Sequence, residues 1–378
     1  IYEKDDTAKV WDALKDPDLH CVVQIAPAVR VAIGEAFDLP PGTLMTGETY
    51  TALRRLGFKA IFDTNFSADV TIMEEANEFV QRFVKGTGEL PLITSCCPAW
   101  TDYMEKYSTD FINNFSSCKS PQQMLSALAK SYYAEKMGLD PSKIFMVSVM
   151  PCTAKKFEIS RSDNMSSTGQ QDTDVVITTR ELGYMLKVAG IDLPSLPKSD
   201  ADNILGDYSG AGTIFGVTGG VMEAALRTAY NIVTGEDLDD VKFEAVRGMQ
   251  GVKEATIDIK GTKVRIAVAH QMGNVEQILE AIREDRKAGR KPRYDFIEVM
   301  ACRGGCISGG GQPLGVTDAV RAARTKGIYS DDERSVRRCS HHNPYVIKLY
   351  EDYLGAPLSE KAHELLHNEY HKRKLYSK

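Results

Sequence analysis

Cys302 and Cys306 stand among glycines in the stretch Glu298–Pro313, directly after an apolar run. A Cys-x3-Cys spacing with two glycines inside lets the backbone fold back, so both thiolates can face one metal centre while nearby N–H groups point at its sulfurs. Taken alone, the pair suits equally a tight turn with incidental thiols or a labile disulfide. Thr94-Ser-Cys-Cys-Pro-Ala-Trp100 places Cys96 beside Cys97. Adjacent side chains diverge, so one of the two can bind metal while the other faces the reaction space. Met150-Pro-Cys-Thr-Ala-Lys155 adds Cys152 and, three residues on, an ammonium able to satisfy an anionic group. Five thiols exceed the need of a mononuclear site. Four thiolates from separate loops suit a 4Fe-4S cluster; zinc competes, but its knuckles usually pair cysteines as Cys-x2-Cys, which this chain lacks. Cys96, if it is not a ligand, is a candidate proton carrier, with a buried packing thiol as the alternative. Cys21, Cys118 and Cys339 lack a partner motif and read as buried or incidental thiols.

The elements that must position these residues follow an α/β pattern. His20–Ile25, Phe58–Asp63, Leu90–Thr94 and Ile144–Met150 are strand candidates alternating with helical stretches, which predicts a parallel sheet with ligands at the carboxyl ends of its strands. The first runs into Ala26-Pro27, where proline suits the first turn of a helix continuing to Glu35. Ile72, Ala76, Phe79, Val80 and Phe83 recur at helical spacing as a buried stripe. Glu75, Glu78 and Arg82 share another face, which on composition alone is a solvated charged stripe. Ser120-Pro121 opens a helix reaching about Lys136 and closed by Gly138. After residue 161 come a strand at Asp174–Thr179, a helix at Arg180–Ala189, and strands at Lys263–Ala269 and Asp295–Met300 around the amphipathic helix Val275–Lys287. The last strand delivers Cys302.

Glycine-rich Ser209–Gly220 precedes a helix, yet neither nucleotide-binding spacing is present, so close approach of backbone to a buried cofactor is the better reading. His363-Glu-Leu-Leu-His367 matches the zincin pattern in a charged C-terminal helix expected to run to Arg373; a solvated helix face is the stronger reading. The expected architecture is two lobes, residues 1–160 and 161–325, each with a mainly parallel sheet flanked by helices and with the site in the cleft between them. Residues 326–378 form a C-terminal helical wrap.

At 378 residues, 43% apolar and 26% charged, the chain has room for both lobes. A net charge of −6 and the lack of a basic block exclude an electrostatic case for nucleic acid. No apolar run is long enough to span a bilayer. Eight cysteines are too few for a disulfide scaffold, which points to a reducing, cytoplasmic compartment. Ile1–Asp6 resembles neither a signal peptide nor a natural start, and a trimmed or processed fragment is expected.

The three cysteine motifs, Thr94–Trp100, Met150–Glu158 and Glu298–Pro313, taken in order, resemble the signature motifs of the iron-only (FeFe) hydrogenases, and the similarity runs through Ala26-Pro27, Ile72–Arg82, Ser116–Gln123 and Phe215–Arg227. The resemblance implies an H-cluster: a 4Fe-4S cubane bridged through one cysteine sulfur to a di-iron unit carrying CO, cyanide and azadithiolate. Carried onto this chain, it makes Cys97, Cys152, Cys302 and Cys306 the cubane ligands, with Cys306 as the bridge. Lys155 would donate to one cyanide and the Ala26-Pro27 backbone would line the other, while Met150, Met300, Gln122 and Phe215 pack around the di-iron unit.

The implied proton route runs from the azadithiolate amine through Cys96, Glu75, Ser116, Glu78 and Arg82. The implied reaction is reversible reduction of protons to hydrogen with electrons from ferredoxin or a similar carrier, and maturation proteins would supply the di-iron unit. A hydrogen sensor with the same cofactor and an iron-sulfur assembly protein lacking the di-iron unit are the rival readings. Arg303 stands where many members have proline, and Ala28 where some have serine. No ferredoxin-like cysteine run precedes the first motif, so a catalytic domain alone is expected, with a tail that resembles a fused small subunit.

Overall fold

The structure, a computed structural model, describes residues 4–238 and 240–375, with the backbone alone at 163. The first three residues of the expected processed start, Ile1–Asp6, lie outside the described residues. Among the described residues eight strands make two sheets: β1 His20–Ile25, β2 Ala60–Asp63, β3 Leu92–Ile93, β4 Ile144–Met150, β5 Val175–Thr178, β6 Val252–Ile259, β7 Thr262–His270 and β8 Phe296–Met300. One sheet has the order β2-β1-β4-β5 and is parallel throughout. The other has the order β3-β8-β7-β6; β3, β8 and β7 are parallel, and β6 returns on β7 as an antiparallel hairpin. The α/β class with mainly parallel sheets flanked by helices is as expected.

Sheet membership and chain order are interleaved. β3 lies in the second sheet although it precedes residue 160, and β5 lies in the first although it follows 161, so the expected division at 160 is not a sheet boundary. The expected start of the wrap at 326 falls inside the helix Asp318–Arg334.

Two helices stand where the sheets' cores meet. The Thr64–Lys85 helix starts with the Asp63 carboxylate accepting from the Asn65 N–H, a cap that also ends β2. Its Ile72, Ala76 and Phe79 stripe is fully buried with Phe296, Val264 and Ile266 of the second sheet, and with Ala224 and Ala225 of the helix Gly220–Thr234. Val80 and Phe83 pack at its margin. Glu75 and Glu78 on the other face are also buried, so that face is not the solvated stripe its composition suggests.

Three local expectations differ from the structure. After β1 the chain makes successive turns and then a 3-10 helix at Ile33–Phe37, because Arg30 turns its Nε back onto the Pro27 carbonyl (3.1 Å) and occupies an acceptor that an α-helix would use. The Pro121 helix carries a π-turn at Ala129–Tyr133 before Gly138 ends it in the left-handed region. The last helix, Glu360–Leu366, stops seven residues short of Arg373. The His367 ring is held by Ser117 Oγ (2.8 Å) and Glu74 Oε2 (3.0 Å), and the Asn368 N–H donates to the Ser117 carbonyl (2.7 Å). His367 is thus buried and side-chain bonded, whereas His363 is exposed; neither a zincin pair nor a wholly solvated face describes them.

The Arg30–Asp63 pair ties the turn after β1 to the end of β2. Both side chains are fully buried, Nη2 meets the two carboxylate oxygens at 2.8 and 2.7 Å, and Tyr208 and Tyr50 complete the network. Removing one partner of such a pair strands a buried charge. Asp63→Ala therefore unfolds with roughly 3–5 kcal/mol less free energy in a urea titration, while a surface pair such as Lys348–Asp352 can be removed with little effect.

Candidate functional site

The carboxyl ends of four strands, two from each sheet, meet around one cavity. β1 supplies Ala26 and Pro27, β4 leads into Met150 and Cys152, β3 into Cys96 and Cys97, and β8 into Met300, Cys302 and Cys306. Gln122, Lys155 and Phe215 complete the lining, so every residue expected at a cofactor is on its wall. The cavity encloses about 90 Å³ and is partly open to solvent.

The turn that carries Cys302 and Cys306 depends on glycine where backbones touch. Gly305 has φ +95°, and a Cβ there would stand 2.7 Å from both Met300 Sδ and the Thr218 nitrogen. A Cβ on Gly309 would be 2.1 Å from the Pro151 carbonyl oxygen, so this turn can lie against the Cys152 loop only without side chains. The Gly309 region and Pro151 are then joined by the Gly311 N–H to the Pro151 carbonyl (2.8 Å). Most glycines of Ser209–Gly220 have a similar task elsewhere: added Cβ atoms would strike Asp332, Asn65, Val246 and Ile214, while Gly216 is the one that reaches the cavity wall. Their close approach is to protein backbone and side chains rather than to a cofactor.

The four strand-end thiols act on one another. Burial pushes Cys152 up to about 11 and Cys302 up to about 12, with neighbouring thiols adding to both. Burial also holds Cys306 well above the usual thiol range, and Cys97, Cys152 and Cys302 all disfavour its thiolate. Without a cation, Cys152, Cys302 and Cys306 stay protonated. A metal centre that binds thiolates reverses that balance, which is what a site for a multi-iron cluster requires.

Lys155 Nζ donates to Glu158 Oε2 (2.9 Å) and to the Cys96 carbonyl (3.2 Å), leaving its third N–H for the cavity. Burial opposes its charge, but Glu158 more than offsets this and holds the ammonium above the usual lysine range. Gln122 Nε2 is taken by the same carboxylate (3.0 Å), while its Oε1 is buried without a partner. Glu158 is a site residue whose role sequence reasoning missed, though its i,i+3 spacing from Lys155 on a short helix was a readable signal. Glu298 is another: buried in the middle of β8, it accepts from the N–H groups of Gly219 (2.6 Å) and Met222 (2.7 Å) and so holds the end of the glycine-rich segment against the strand that leads to the cysteine turn.

The acidic residues lead away from the cavity. Glu75 is buried, its Oε2 has no partner, and burial pushes its pKa up to about 8, with Ser116 pulling the other way. Ser116 Oγ donates to Glu78 Oε2 (3.1 Å), and Arg82 Nη2 donates to Glu78 Oε1 (2.6 Å) and to the Phe115 carbonyl (2.8 Å). Glu78 and Arg82 then line a solvent-facing pocket with Ser117 and His363. At the inner end, burial raises the Cys96 thiol and the Glu75 carboxyl adds to the effect. Arg303, by contrast, points away from the cavity: it is exposed and pairs with Asp318 at 3.0 Å. Ala28 is buried, and its carbonyl accepts from Gln312 Nε2 (2.8 Å).

The sequence matches the iron only hydrogenase large subunit, C-terminal domain, over residues 19–310, and the iron hydrogenase small subunit over residues 318–373. It is similar to the NADP-reducing hydrogenase subunit HndD of Solidesulfovibrio fructosivorans, 49% identical over 97% of this chain and 62% of that protein. Iron hydrogenase 1 of Clostridium pasteurianum is 46% identical over 98% of this chain and 64% of its own length. The chain thus spans just under two thirds of these two relatives. The solved apo FeFe-hydrogenase HydA1 of Chlamydomonas reinhardtii superposes with a TM-score of 0.84 at 42% identity, covering 98% of this chain and 99% of that one.

The buried Glu75 carboxyl gives a pH signature. Its folded pKa of about 8 lies above the unfolded value of 4.5, so the folded state binds the extra proton and stability falls as pH rises from about 4.5 to 8. In urea titrations across that range, the stability of the parent relative to Glu75→Gln declines with rising pH and levels off above about pH 8. A flat difference would mean that Glu75 titrates as an exposed carboxylate.

Proposed function

The chain belongs to the iron-only hydrogenase family, and from that premise we propose that it interconverts protons and molecular hydrogen. The observation that carries this reading is the joining of two features: a cavity walled by four mutually coupled thiols, and a fifth thiol, Cys96, at the head of a buried chain of proton-exchanging groups that ends at a solvent-facing pocket.

The donor set fits the family's cofactor. Cys97, Cys152, Cys302 and Cys306 would hold the cubane, with Cys306 shared with the di-iron unit. The spare N–H of Lys155 would serve an anionic ligand of that unit, and the unpartnered Gln122 Oε1 would accept from a donor on it. When bound, the H-cluster supplies the redox centre and the place where protons and hydrogen interconvert. The chain does the rest. Met150, Met300 and Phe215 exclude water with apolar surface, and the Ala26-Pro27 turn presents backbone, held from behind by Arg30.

Cys96 Sγ gives or takes a proton at the cavity wall. Glu75, protonated near neutral pH, exchanges with it and is relayed through Ser116 Oγ to Glu78, whose carboxylate Arg82 steadies at the mouth. We assign electron delivery to ferredoxin or a similar small redox protein. Dedicated maturation proteins would deliver the di-iron unit. Among the described residues no helix is long and apolar enough to cross a membrane. We assign the chain to a reducing, cytoplasmic compartment, the setting that would keep its strand-end cysteines available as thiolate ligands.

A hydrogen sensor or an iron-sulfur assembly protein would have less use for the buried acid chain. Infrared spectroscopy of the matured protein, coupled with hydrogen evolution from a chemical reductant, separates the three. The expected result is CO and cyanide bands with turnover. Bands without turnover would favour the sensor, and no bands after maturation would favour the assembly protein. Cys96→Ala is expected to keep the bands and lose turnover by roughly a hundredfold or more, the scale of a lost general acid-base group. Unchanged turnover would remove Cys96 from the route.

A further inference from the structure

Cys339 carries no motif in the sequence, yet the fold surrounds it with metal-binding groups. It lies buried at the start of a short 3-10 turn, Ser340–His342, and Cys339 Sγ and one ring nitrogen each from His341 and His342 fall within 4.8 Å of one another. A fourth group comes from another part of the chain. Asp237, just past the helix Gly220–Thr234, places Oδ1 3.0 Å from His341 Nε2 and Oδ2 3.0 Å from His342 Nε2.

The surroundings orient these groups as the outer partners of a metal site do. His341 Nδ1 bonds Thr228 Oγ1 (3.1 Å); an N–H there leaves the Nε2 lone pair facing the cluster. Asn231 Nδ2 donates to Asp237 Oδ1 (3.0 Å) and holds the carboxylate in place. A solvent path exists, since the His342 and Asp237 side chains are 43% and 52% exposed.

We propose that Cys339, His341, His342 and Asp237 form a zinc site, separate from the cluster cavity, that clamps the tail to the helix Gly220–Thr234. One thiolate, two imidazoles and one carboxylate make a closed tetrahedral set of the kind that serves structure rather than catalysis. Zinc bonds of about 2.0–2.3 Å put tetrahedral ligand atoms about 3.3–3.6 Å apart, so binding draws together the Cys339, His341 and His342 atoms, now within 4.8 Å of one another, and brings in the Asp237 carboxylate from its contacts with both rings. Binding releases the thiol proton to solvent and involves no change of oxidation state. Asp237 follows the large-subunit-like region's helix, while Cys339, His341 and His342 belong to the small-subunit-like region, so the ion would bridge the two matched parts of one chain.

The test uses the full chain with its cubane already loaded, so that Cys97, Cys152, Cys302 and Cys306 are occupied, and zinc alone as the probe. After zinc exposure and removal of excess metal, one additional zinc per chain is expected. Zinc-edge X-ray absorption should show one sulfur at about 2.3 Å and nitrogen or oxygen neighbours near 2.0 Å. His342→Ala and Asp237→Asn, both at the surface, should weaken zinc binding by roughly tenfold or more without disturbing the cubane spectrum, and Cys339→Ser should remove the sulfur from the zinc shell. No additional zinc, a sulfur-rich shell that survives Cys339→Ser, or surface variants that hold zinc as tightly as the parent would each overturn the site.

Discussion

Desolvation is the constraint on which the rest of the structure depends. Water is kept from a space where five thiols and several carboxyl groups stand close together, and burial alone disfavours charge on nearly all of them. The consequence differs by position. Cys152, Cys302 and Cys306 hold their protons unless a cation is present, which suits the cavity to cationic iron rather than to free thiolate. Glu75 keeps its proton into the neutral range and so can hand one on. Glu78, one turn further along the same helix, is held by Arg82, Ser116 and the Ser117 N–H. One physical effect, graded along one helix, separates cluster binding from proton handling.

The same helix also fastens the tail. Glu74 faces away from the cavity and takes Tyr350, the Leu358 N–H and His367, while its neighbour Glu75 faces Cys96. Asp69, a turn earlier, holds Ser209, Ser340 and Asn343. Adjacent acidic residues therefore differ in their surroundings, one buried with a raised pKa beside Cys96 and the other anchoring chain. His367 touches both systems, since Ser117 bonds its ring on one side and Glu78 on the other. The tail is thus bonded, through Ser117 and Glu74, to the same helix that carries the buried acidic residues.

Much of this was legible in the sequence because strand ends and cysteines coincide. β1 and β4 were read to the residue, and the apolar stripe from Ile72 to Phe83 named the inner face of the central helix. Three kinds of feature were not legible. Pairing of β3 with β8 and of β5 with β4 is non-local, and nothing in a run of apolar residues says which sheet it joins. β6 had a signal, Ala255, Ile257 and Ile259 alternating with polar residues, but as an edge strand it exposes much of its surface and reads like loop. Polar side chains that bind across the fold were least visible: Arg30 to Asp63, Glu74 to His367, and Asp237 to His341 span 33, 293 and 104 positions.

Arg303 shows how the fold sorts residues that the sequence leaves together. It lies between the two cysteines of one short turn, where any charge should bear on the cluster, yet Gly304 and Gly305 reverse the chain behind it and send the guanidinium out to Asp318. In water, at a surface pair, its field on the cavity is screened. The same turn that brings Cys302 and Cys306 inward therefore needs an outward residue at 303, and the chemistry of that residue is freer than its position suggests. Glycine at 305 and 309, where backbones meet too closely for a Cβ, is the part of the turn that cannot change, because the distance between the Cys306 and Cys152 loops is set by backbone contact and not by side chains.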